Sequence, residues 1–291
     1  MGPERTTIDI NTIEEPASLR FLYENSFGRF LLKIITFPLF SKIAGAFLSS
    51  GPSKIFIKGF IEKNRIDMYD YGRAGAYRSF NDFFTRKIRE GARPVDSDPD
   101  SLISPCDGKL TAFPIDDERI FDIKGSRYSV SDLLDDRQLA AEFSGGMALV
   151  FRLTVDDYHR YCYIDDGKKD DNIHIRGRLH TVQPIALRNT PVFVQNSREY
   201  TIMDTDNFGR AAQIEVGALM VGKIKNHQRV CEIKRGREKG MFLFGGSTII
   251  LLLKKGAARI DEEIFDNTAN GLETVVKMGE KIGEASNGAE Q

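Results

Sequence analysis

A Gly-Gly-Ser-Thr sequence at positions 245–248 is the part of the chain best suited to chemistry on its own backbone. Two glycines leave the carbonyl group before Ser247 sterically open and permit unusual backbone angles. A serine hydroxyl beside such a carbonyl can attack the peptide bond if a base accepts its proton and hydrogen-bond donors hold the oxyanion. A flexible turn between two strands is the simpler interpretation of the same four residues.

The surroundings of His159 suggest proton transfer, whereas those of Asp107 suggest a turn. Asp107 lies in an Asp-Gly pair, which is typical of a turn, and His159 follows Asp156 and Asp157 closely. A neighbouring carboxylate can raise the pKa of a histidine, which would make His159 a proton donor near neutral pH. A half-buried histidine with satisfied hydrogen bonds is the alternative interpretation.

Several common catalytic and binding patterns are missing from the sequence. It contains no G-x-x-x-x-G-K-[ST] loop, no G-x-G-x-x-G after a strand and no G-x-S-x-G nucleophile elbow. Three cysteines without a C-x-x-C pair and four histidines without zinc spacing predict neither a disulfide scaffold nor a metal site. The net charge of −1 argues against a nucleic-acid partner. No apolar run reaches the ~18 residues that a membrane span needs.

A series of short segments, taken in order along the chain, resembles the phosphatidylserine decarboxylases, which make their own pyruvoyl group. Each segment is weakly informative alone, whereas their common order and spacing are highly specific. The segments are residues 77–84 with 91–94, 104–108, 124–130, 157–160, 214–218 with 221–222, and 235–248.

The resemblance implies that Ser247 attacks the Gly246 carbonyl and that the chain breaks between these two residues. β-Elimination from the resulting ester would release a β chain of residues 1–246, and residue 247 would become the pyruvoyl cap of an α chain of residues 247–291. The pyruvoyl carbonyl would form a Schiff base with the amine of phosphatidylserine and act as an electron sink while carbon dioxide leaves. The product would be phosphatidylethanolamine.

The resemblance also implies that Asp107 orients a histidine, which in turn activates Ser247. Many members of the family carry a second histidine three residues after the first, and this chain has Cys162 there. Three alternatives remain open, in this order of preference. His159 serves both steps, His180 fills the gap from a neighbouring strand, or Cys162 contributes.

The N-terminal part of the chain predicts amphipathic helices. Between Arg20 and Arg65 eight cations stand against two anions, whereas from Asp261 onward eight acids stand against two lysines. Such helices can form a cap on the core or a dimer face, or they can contact an anionic bilayer through apolar and basic side chains. A lipid substrate would favour the bilayer. One predicted helix face carries Phe27, Phe30, Leu31, Ile34 and Ile35.

From about residue 100 the chain breaks into short β-type runs separated by Gly, Asp and Asn, which is typical of an antiparallel or mixed sheet. We therefore expect an α+β protein, with N-terminal amphipathic helices on a β-rich, barrel-like catalytic domain and Ser247 at the start of an inner strand. The expected units are a membrane-associating helical segment (1–75), the catalytic domain (76–270), and a C-terminal strand or turn with a polar tail (271–291).

The predicted function is decarboxylation of phosphatidylserine at the cytoplasmic side of the cell membrane, with peripheral attachment to an anionic surface. The α and β chains would form a heterodimer, with further dimerisation left open. Two alternatives remain. The substrate could be a related serine phospholipid of the archaetidylserine type, or the protein could be a non-catalytic lipid-binding β scaffold whose Gly-Gly-Ser-Thr sequence is only a turn.

Overall fold

Helices form the N-terminal part of the protein, in a computed structural model that describes residues 5–13, 15–36, 38–123, 126–218, 223–245 and 247–286. Three short 3₁₀ turns lie at Ile10–Thr12, Gly51–Ile55 and Ala74–Ala76. The α-helices in these ranges are α1 (Ala17–Glu24), α2 (Ser26–Ile35), α3 (Pro38–Leu48), α4 (Phe56–Asn64), α5 (Phe80–Phe84), α6 (Val130–Leu134), α7 (Arg137–Ala141), α8 (Pro184–Asn189), α9 (Val192–Gln195) and α10 (Glu262–Ala269).

The boundary between α1 and α2 follows from two residues. The Asn25 side chain accepts hydrogen bonds from the backbone N–H groups of Phe27 and Gly28, so it caps the start of α2. Gly28 lets α2 approach α1 closely, because a Cβ atom at this position would lie 1.9 Å from the carbonyl oxygen of Phe21. The two helices therefore pack as a tight pair, and Phe27, Phe30 and Ile34 of α2 stay exposed.

Antiparallel sheets form the rest of the structure. The strands are β1 (Thr7–Asp9), β2 (Ser101–Ile103), β3 (Gly108–Pro114), β4 (Ile120–Ile123), β5 (Ser126–Ser129), β6 (Met147–Leu153), β7 (Arg160–Cys162), β8 (Gly167–Lys169), β9 (Ile173–Ile175), β10 (Arg198–Thr205), β11 (Gly209–Val216), β12 (Ile224–Asn226), β13 (Cys231–Ile233), β14 (Glu238–Phe242), β15 (Ser247–Leu253), β16 (Ala258–Ile260), β17 (Leu272–Val276) and β18 (Lys281–Ala285).

The largest sheet has the strand order β1-β17-β3-β6-β15-β11-β10-β8-β13, and β9 also pairs with β10. Smaller sheets are β12-β14-β7, β16-β18-β2 and β4-β5. The α+β class and the β-rich body are confirmed. The barrel-like closure expected from the sequence is wrong, because the large sheet is open and ends at β1 and β13 among the described strands.

Strand β15 is the centre of the core, as expected for an inner strand that begins at Ser247. It pairs with β6 on one side and β11 on the other. Its sequence is an unbroken apolar run after Ser-Thr because both of its faces are buried. Ile250 and Leu252 belong to one apolar cluster, whereas Ile249 and Leu251 belong to the other, so the sheet separates two cores.

A third apolar cluster lies beneath the N-terminal helices. It contains Ile57 of α4 and the buried phenylalanines of α5, and Phe244 packs against it. Helix α5 begins after Ser79, whose side chain accepts a hydrogen bond from the Asp82 backbone N–H. This cluster places α5 between the helical layer and the segment that precedes Ser247.

Candidate active site

Several strand ends meet at one edge of the large sheet and bring the motif residues together. Strand β15 begins at Ser247 opposite Leu153, the last residue of β6. Arg152 of β6 pairs with Lys109 of β3 on one side and Thr248 of β15 on the other. Because neighbouring strands lie about 4.8 Å apart, Lys109 and Thr248 are separated by roughly 10 Å. Asp107 precedes β3, so it lies at the same edge as Ser247.

Ser247 is buried in a backbone segment that glycine makes possible. The residue is 1% exposed, and its Oγ donates to the carbonyl oxygen of Gly245 at 3.4 Å. Gly245 has φ 139°, in the region that favours glycine. Gly246, the other residue of the predicted cleavage site, lies outside the described residues. The described part of the tetrad thus combines a buried hydroxyl with an unusual backbone angle just before it.

His159 is brought next to this segment by the pairing of β7 with β14. Its carbonyl oxygen accepts a hydrogen bond from the Phe242 backbone N–H at 2.9 Å. Its ring lies 4.1 Å, centroid to centroid, from Phe84, which lies 5.0 Å from Phe244. The histidine is therefore enclosed by aromatic side chains close to the chain segment that leads to Ser247.

The tautomer of His159 follows from its single hydrogen bond. Nδ1 lies 3.0 Å from the carbonyl oxygen of Asp157, which can only accept, so Nδ1 carries the proton. Nε2 then has a free lone pair. Within the described residues this atom is buried and has no hydrogen-bond partner. It is a candidate acceptor for a proton from another group.

The pKa of His159 is lowered from its usual value to about 3, chiefly because the ring is fully buried. The hydrogen bond to Asp157 opposes this shift, and the nearby Arg86 cation adds to it. The Asp156 carboxylate does raise this pKa, but burial outweighs it, so the expectation of a raised pKa for His159 is wrong. The Asp157 carboxylate binds Lys109 Nζ at 2.6 Å instead of the ring, so burial dominates and the imidazole is neutral.

Two buried cations that the sequence analysis missed hold the turn before His159. Arg86 Nη2 donates to the carbonyl oxygens of Asp156 and Asp157 at 3.0 and 3.3 Å. Lys109 Nζ binds the Asp157 carboxylate and also donates to Thr154 Oγ1 at 2.6 Å. In the sequence, Arg86 follows the phenylalanines of α5, and Lys109 lies in the largely apolar strand β3. A cation in an apolar segment is the signal that could have identified them. Both cations position the carbonyl to which Nδ1 is bonded.

Asp107 is buried at the same sheet edge, but its hydrogen bonds go elsewhere. Arg93 binds its carboxylate with Nε at 2.9 Å and Nη2 at 2.7 Å, and the Met278 backbone N–H donates to it at 2.9 Å. Lys277 Nζ lies 3.5 Å away. In the described ranges no hydrogen bond joins Asp107, His159 and Ser247 through their side chains. Asp107 instead connects segments on opposite sides of the predicted cleavage point.

The alternative bases occupy less favourable positions. Cys162 is fully buried, and burial raises the pKa of its thiol to about 12. His180 contacts Tyr23 Oη through Nδ1 at 3.3 Å, and burial lowers its pKa to about 4. Neither side chain bonds to Ser247 in the described structure. Of the three candidates, His159 bonds through its backbone to Phe242, three residues before the tetrad, whereas Cys162 pairs with Glu238, farther from it.

An open cavity of about 1310 Å³ lies beside Asp107, and Ser247 and His159 do not line it. Arg93, Lys277 and Arg5 are among its lining residues. Across the ranges described, no group of three or more His, Cys, Asp and Glu side chains could hold a metal ion. Ser247 and His159 are both buried, and neither contributes to the lining of this cavity.

The sequence matches the family described as Phosphatidylserine decarboxylase over residues 80–284. It is 51% identical over 269 residues to "Phosphatidylserine decarboxylase proenzyme 2" of Clostridium acetobutylicum, covering 92% of each chain. It is 43% identical over 280 residues to the phosphatidylserine decarboxylase proenzyme of Ruminiclostridium cellulolyticum, covering 94% of this chain and 93% of the relative. It is 39% identical over 291 residues to the phosphatidylserine decarboxylase proenzyme of Fusobacterium nucleatum, covering 98% of this chain and 97% of the relative. With matches that span the helices, the sheets and the tetrad, the chain belongs to the phosphatidylserine decarboxylase family.

Proposed function

We propose that this protein decarboxylates phosphatidylserine to phosphatidylethanolamine after it cuts itself between Gly246 and Ser247. Family membership supports the reaction, and the names of the relatives, which are proenzymes, support self-processing. The single observation that carries the proposal is the burial of Ser247 two residues after Gly245, whose positive φ favours glycine, in a segment that pairs with a histidine whose Nε2 has no partner in the described structure.

The chain's own residues suffice for a balanced cleavage. Ser247 Oγ would bond to the Gly246 carbonyl carbon while the bond from that carbon to the Ser247 nitrogen breaks. The hydroxyl proton would pass to His159 Nε2 and then to the departing nitrogen, which becomes an amine. Loss of the Ser247 α proton would expel the Gly246 carboxylate and leave dehydroalanine at residue 247. Water would convert that residue to a pyruvoyl group and release ammonia.

The neutral form of His159 suits the role of proton acceptor in this cleavage. Burial holds its pKa at about 3, so Nε2 keeps its lone pair at neutral pH. We assign Asp107 a positioning role, since its carboxylate ties Arg93 to the Met278 backbone N–H and to the Lys277 side chain. That Asp107 also orients a histidine, as the resemblance implies, stays a prediction.

The residues around position 247 fit a pyruvoyl group. The position is buried, the ring of Phe84 contacts both Phe244 and His159, and His159 Nε2 is an unpartnered polar atom in the described part of the chain. A pyruvoyl group there supplies an electron-withdrawing carbonyl that condenses with the substrate amine and stabilises the negative charge left by departing carbon dioxide. His159 would move protons at Nε2, and Arg86 would hold the turn that aims it.

We also propose that the helical segment of the 1–75 unit binds the anionic surface of the cell membrane peripherally, on the cytoplasmic side. Exposed Arg20, Lys54 and Lys58 lie in or between the same helices and suit anionic headgroups. In the described residues no helix is long and apolar enough to cross a bilayer. The large apolar side chains exposed in this segment are Phe21, Phe27, Phe30, Ile34, Leu39, Ile43, Phe47, Ile55 and Phe56.

After cleavage the two chains should stay together as a heterodimer. Strand β15 of the α chain lies between β6 and β11 of the β chain, and β17 lies between β1 and β3. Arg5 of the β chain also binds three α-chain carboxylates, those of Asp261, Glu263 and Glu280. The β chain (1–246) and the α chain (247–291) would thus be held together by sheet pairing and by these ion pairs rather than by the broken backbone.

Cleavage is tested by intact-mass measurement of the purified wild type and of Ser247→Ala. We expect two wild-type fragments that end at residue 246 and begin with a ketoacid at residue 247, and one unbroken chain for the variant. Ser101→Ala is a matched control, because Ser101 is also buried and its Oγ has no partner within the described chain. This control should cleave as the wild type does. A wild type that stays one chain yet releases carbon dioxide from phosphatidylserine would overturn the proposal.

A further inference from the structure

The side chain of Asn81 connects the segment before Ser247 with the N-terminal helices. Asn81 lies in α5 and is 6% exposed. Its Oδ1 accepts a hydrogen bond from the Phe244 backbone N–H at 3.0 Å. Its Nδ2 donates to Ser49 Oγ at 2.9 Å and to the Gly45 carbonyl oxygen at 3.4 Å. One buried amide therefore bridges two parts of the chain that are almost 200 residues apart.

Phe244 is the last anchored residue before the tetrad. Its ring packs edge-to-face against Phe80 at 4.9 Å, Phe84 at 5.0 Å and Phe60 at 6.1 Å. The Asn81 carbonyl group holds the backbone at the same residue. The next residue is Gly245 with its positive φ, and the strand pairing of β15 resumes at Ser247. Phe244 and β15 thus anchor the chain on either side of the predicted cleavage point.

The other end of this connection lies in the helical layer. Gly45 belongs to α3, and Ser49 follows the end of α3 and donates to the Gly45 carbonyl oxygen at 2.8 Å. Helix α3 exposes Leu39, Ile43 and Phe47. Asn81 therefore ties the segment before the tetrad to the same helix that carries part of the exposed apolar surface.

We propose that Asn81 is a positioning residue for self-cleavage, which holds the Phe244 backbone so that the Gly246 carbonyl lies within reach of Ser247 Oγ. This inference rests on the proposed function, because it assumes cleavage at that bond. Attack within a chain is highly sensitive to geometry, and a displacement of about 1 Å can slow a reaction by about 100-fold. Without the Asn81 acceptor the Phe244 N–H would be buried and unpaired, and the segment would shift to find another partner.

The test compares the self-cleavage rates of three full-length variants with the wild type, after cell-free synthesis, by intact mass at successive times. Asn81→Leu removes both hydrogen-bonding groups, and we expect cleavage about 10- to 100-fold slower. Asn81→Asp keeps an acceptor for Phe244 and should cleave within about threefold of the wild type. Asn64→Leu is the matched control, since Asn64 Nδ2 bonds only to the Phe60 carbonyl within α4, and it should cleave at the wild-type rate.

Treatment with hydroxylamine distinguishes a slowed acyl shift, which a loss of positioning would cause, from a defect in the later elimination step. Hydroxylamine cleaves an ester much faster than a peptide bond, so a variant stalled after the acyl shift would be cut by hydroxylamine between residues 246 and 247, and intact mass distinguishes this cut from slow cleavage at the Asn-Gly bonds 270–271 and 287–288. We expect uncleaved Asn81→Leu to resist it, because the shift itself is slowed. Thermal unfolding followed by circular dichroism reports whether each variant is folded. If Asn81→Leu is not folded, the self-cleavage rate of Asn81→Asp is the deciding result. Wild-type-like cleavage of folded Asn81→Leu, or a slowed Asn81→Asp, overturns the inference, whereas an uncleaved wild type overturns the proposed function instead.

Discussion

The N-terminal helices and the sheet region differ in where their apolar and charged side chains lie. Helices α1–α4 expose large apolar side chains, with Phe27 at 62% and Phe30 at 58%. The sheet region buries charges, and Lys239 and Glu215 form an ion pair at 2.7 Å with both side chains fully buried. Each arrangement would be costly alone, so each indicates a partner. For the buried charges the partner is another side chain of the protein, and for the exposed apolar surface we propose a lipid.

The difference has a consequence for function. Buried charges near the site, such as Arg86 and Lys109, fix the backbone around His159 through directional hydrogen bonds. The helical surface needs no such precision, because contact with lipid is non-directional and depends on apolar area and net charge. Helix α5 lies between the two regions and contacts both through Asn81. In the proposed function, chemistry and membrane attachment thus involve different regions, and helix α5 contacts both.

The largest expected effect is on the buried charges. Arg152 and Glu273 form a two-pronged ion pair in the sheet, with Nε to Oε1 at 2.8 Å and a second contact between Nη2 and Oε2. Glu273→Leu would leave Arg152 buried and unpaired, so the free energy of unfolding should fall by about 3–5 kcal/mol. Urea unfolding measures this best in the Ser247→Ala background, where the chain stays whole.

The matched control for that change lies in the helical layer. Glu62 pairs with Lys58 at 3.9 Å, and both side chains are exposed. Glu62→Leu should change the free energy of unfolding by no more than about 0.5 kcal/mol. Equal losses for the two variants would mean that the sheet does not depend on its buried pairs, and the comparison between the regions would break down.

A smaller effect is expected for the exposed apolar surface. Phe30→Asp should weaken binding to vesicles of phosphatidylcholine with phosphatidylglycerol by about 1.5–3 kcal/mol, because the ring would no longer enter the bilayer. Co-sedimentation with vesicles measures this. Ile173→Asp is the control, because Ile173 is 47% exposed but lies in β9, outside the helical layer. Equal weakening of vesicle binding by both variants would mean that the N-terminal helices do not form the proposed contact with the membrane.

The smallest expected effect is a pH dependence that arises in the sheet region. His159 has a folded-state pKa of about 3, while an unfolded histidine titrates near 6.5. Below about pH 6.5 the unfolded chain therefore binds a proton that the folded chain does not, so stability falls as the pH falls. His159 alone should contribute up to about 1.4 kcal/mol per pH unit. His180, with a pKa of about 4, adds to the loss with the same sign.

Urea unfolding at pH 7 and pH 5 tests this dependence in the Ser247→Ala background. His159→Gln should lose less stability than the parent between the two pH values, because glutamine does not titrate. His174→Gln is the control, since His174 is exposed in β9, and it should lose as much as the parent. If His159→Gln and the parent lose the same amount, His159 does not remain neutral in the folded protein.

Local patterns predicted several elements well. The period of Phe27, Phe30 and Ile34 indicated an amphipathic helix, and α2 carries these residues on one exposed side. The apolar run after Ser247 indicated an inner strand, and β15 lies between two neighbours in the sheet. These predictions succeeded because helix periodicity and an apolar strand sequence are properties of short segments.

Predictions that depended on residues distant in the sequence were less successful. The sequence placed Asp156 and Asp157 beside His159 and suggested a raised pKa, but Lys109 takes the Asp157 carboxylate and burial lowers the pKa. That Asp107 orients a histidine, as the resemblance implies, stays a prediction, and the sequence did not indicate that its carboxylate binds Arg93. Sheet closure was also wrongly expected, because strand lengths and turns do not reveal which edges remain unpaired.

The sequence by itself determined the family and the amphipathic character of the N-terminal helices, because motif order and periodicity are properties of the linear chain, and it also provided Ser247 as the serine that we propose reacts. Only the tertiary structure decided which partner each buried polar group has. It placed Asn81 against Phe244, freed Nε2 of His159 and joined Arg93 to Asp107. A pKa or a hydrogen bond depends on groups within a few ångströms, and in a sheet of non-consecutive strands those groups come from distant positions in the chain.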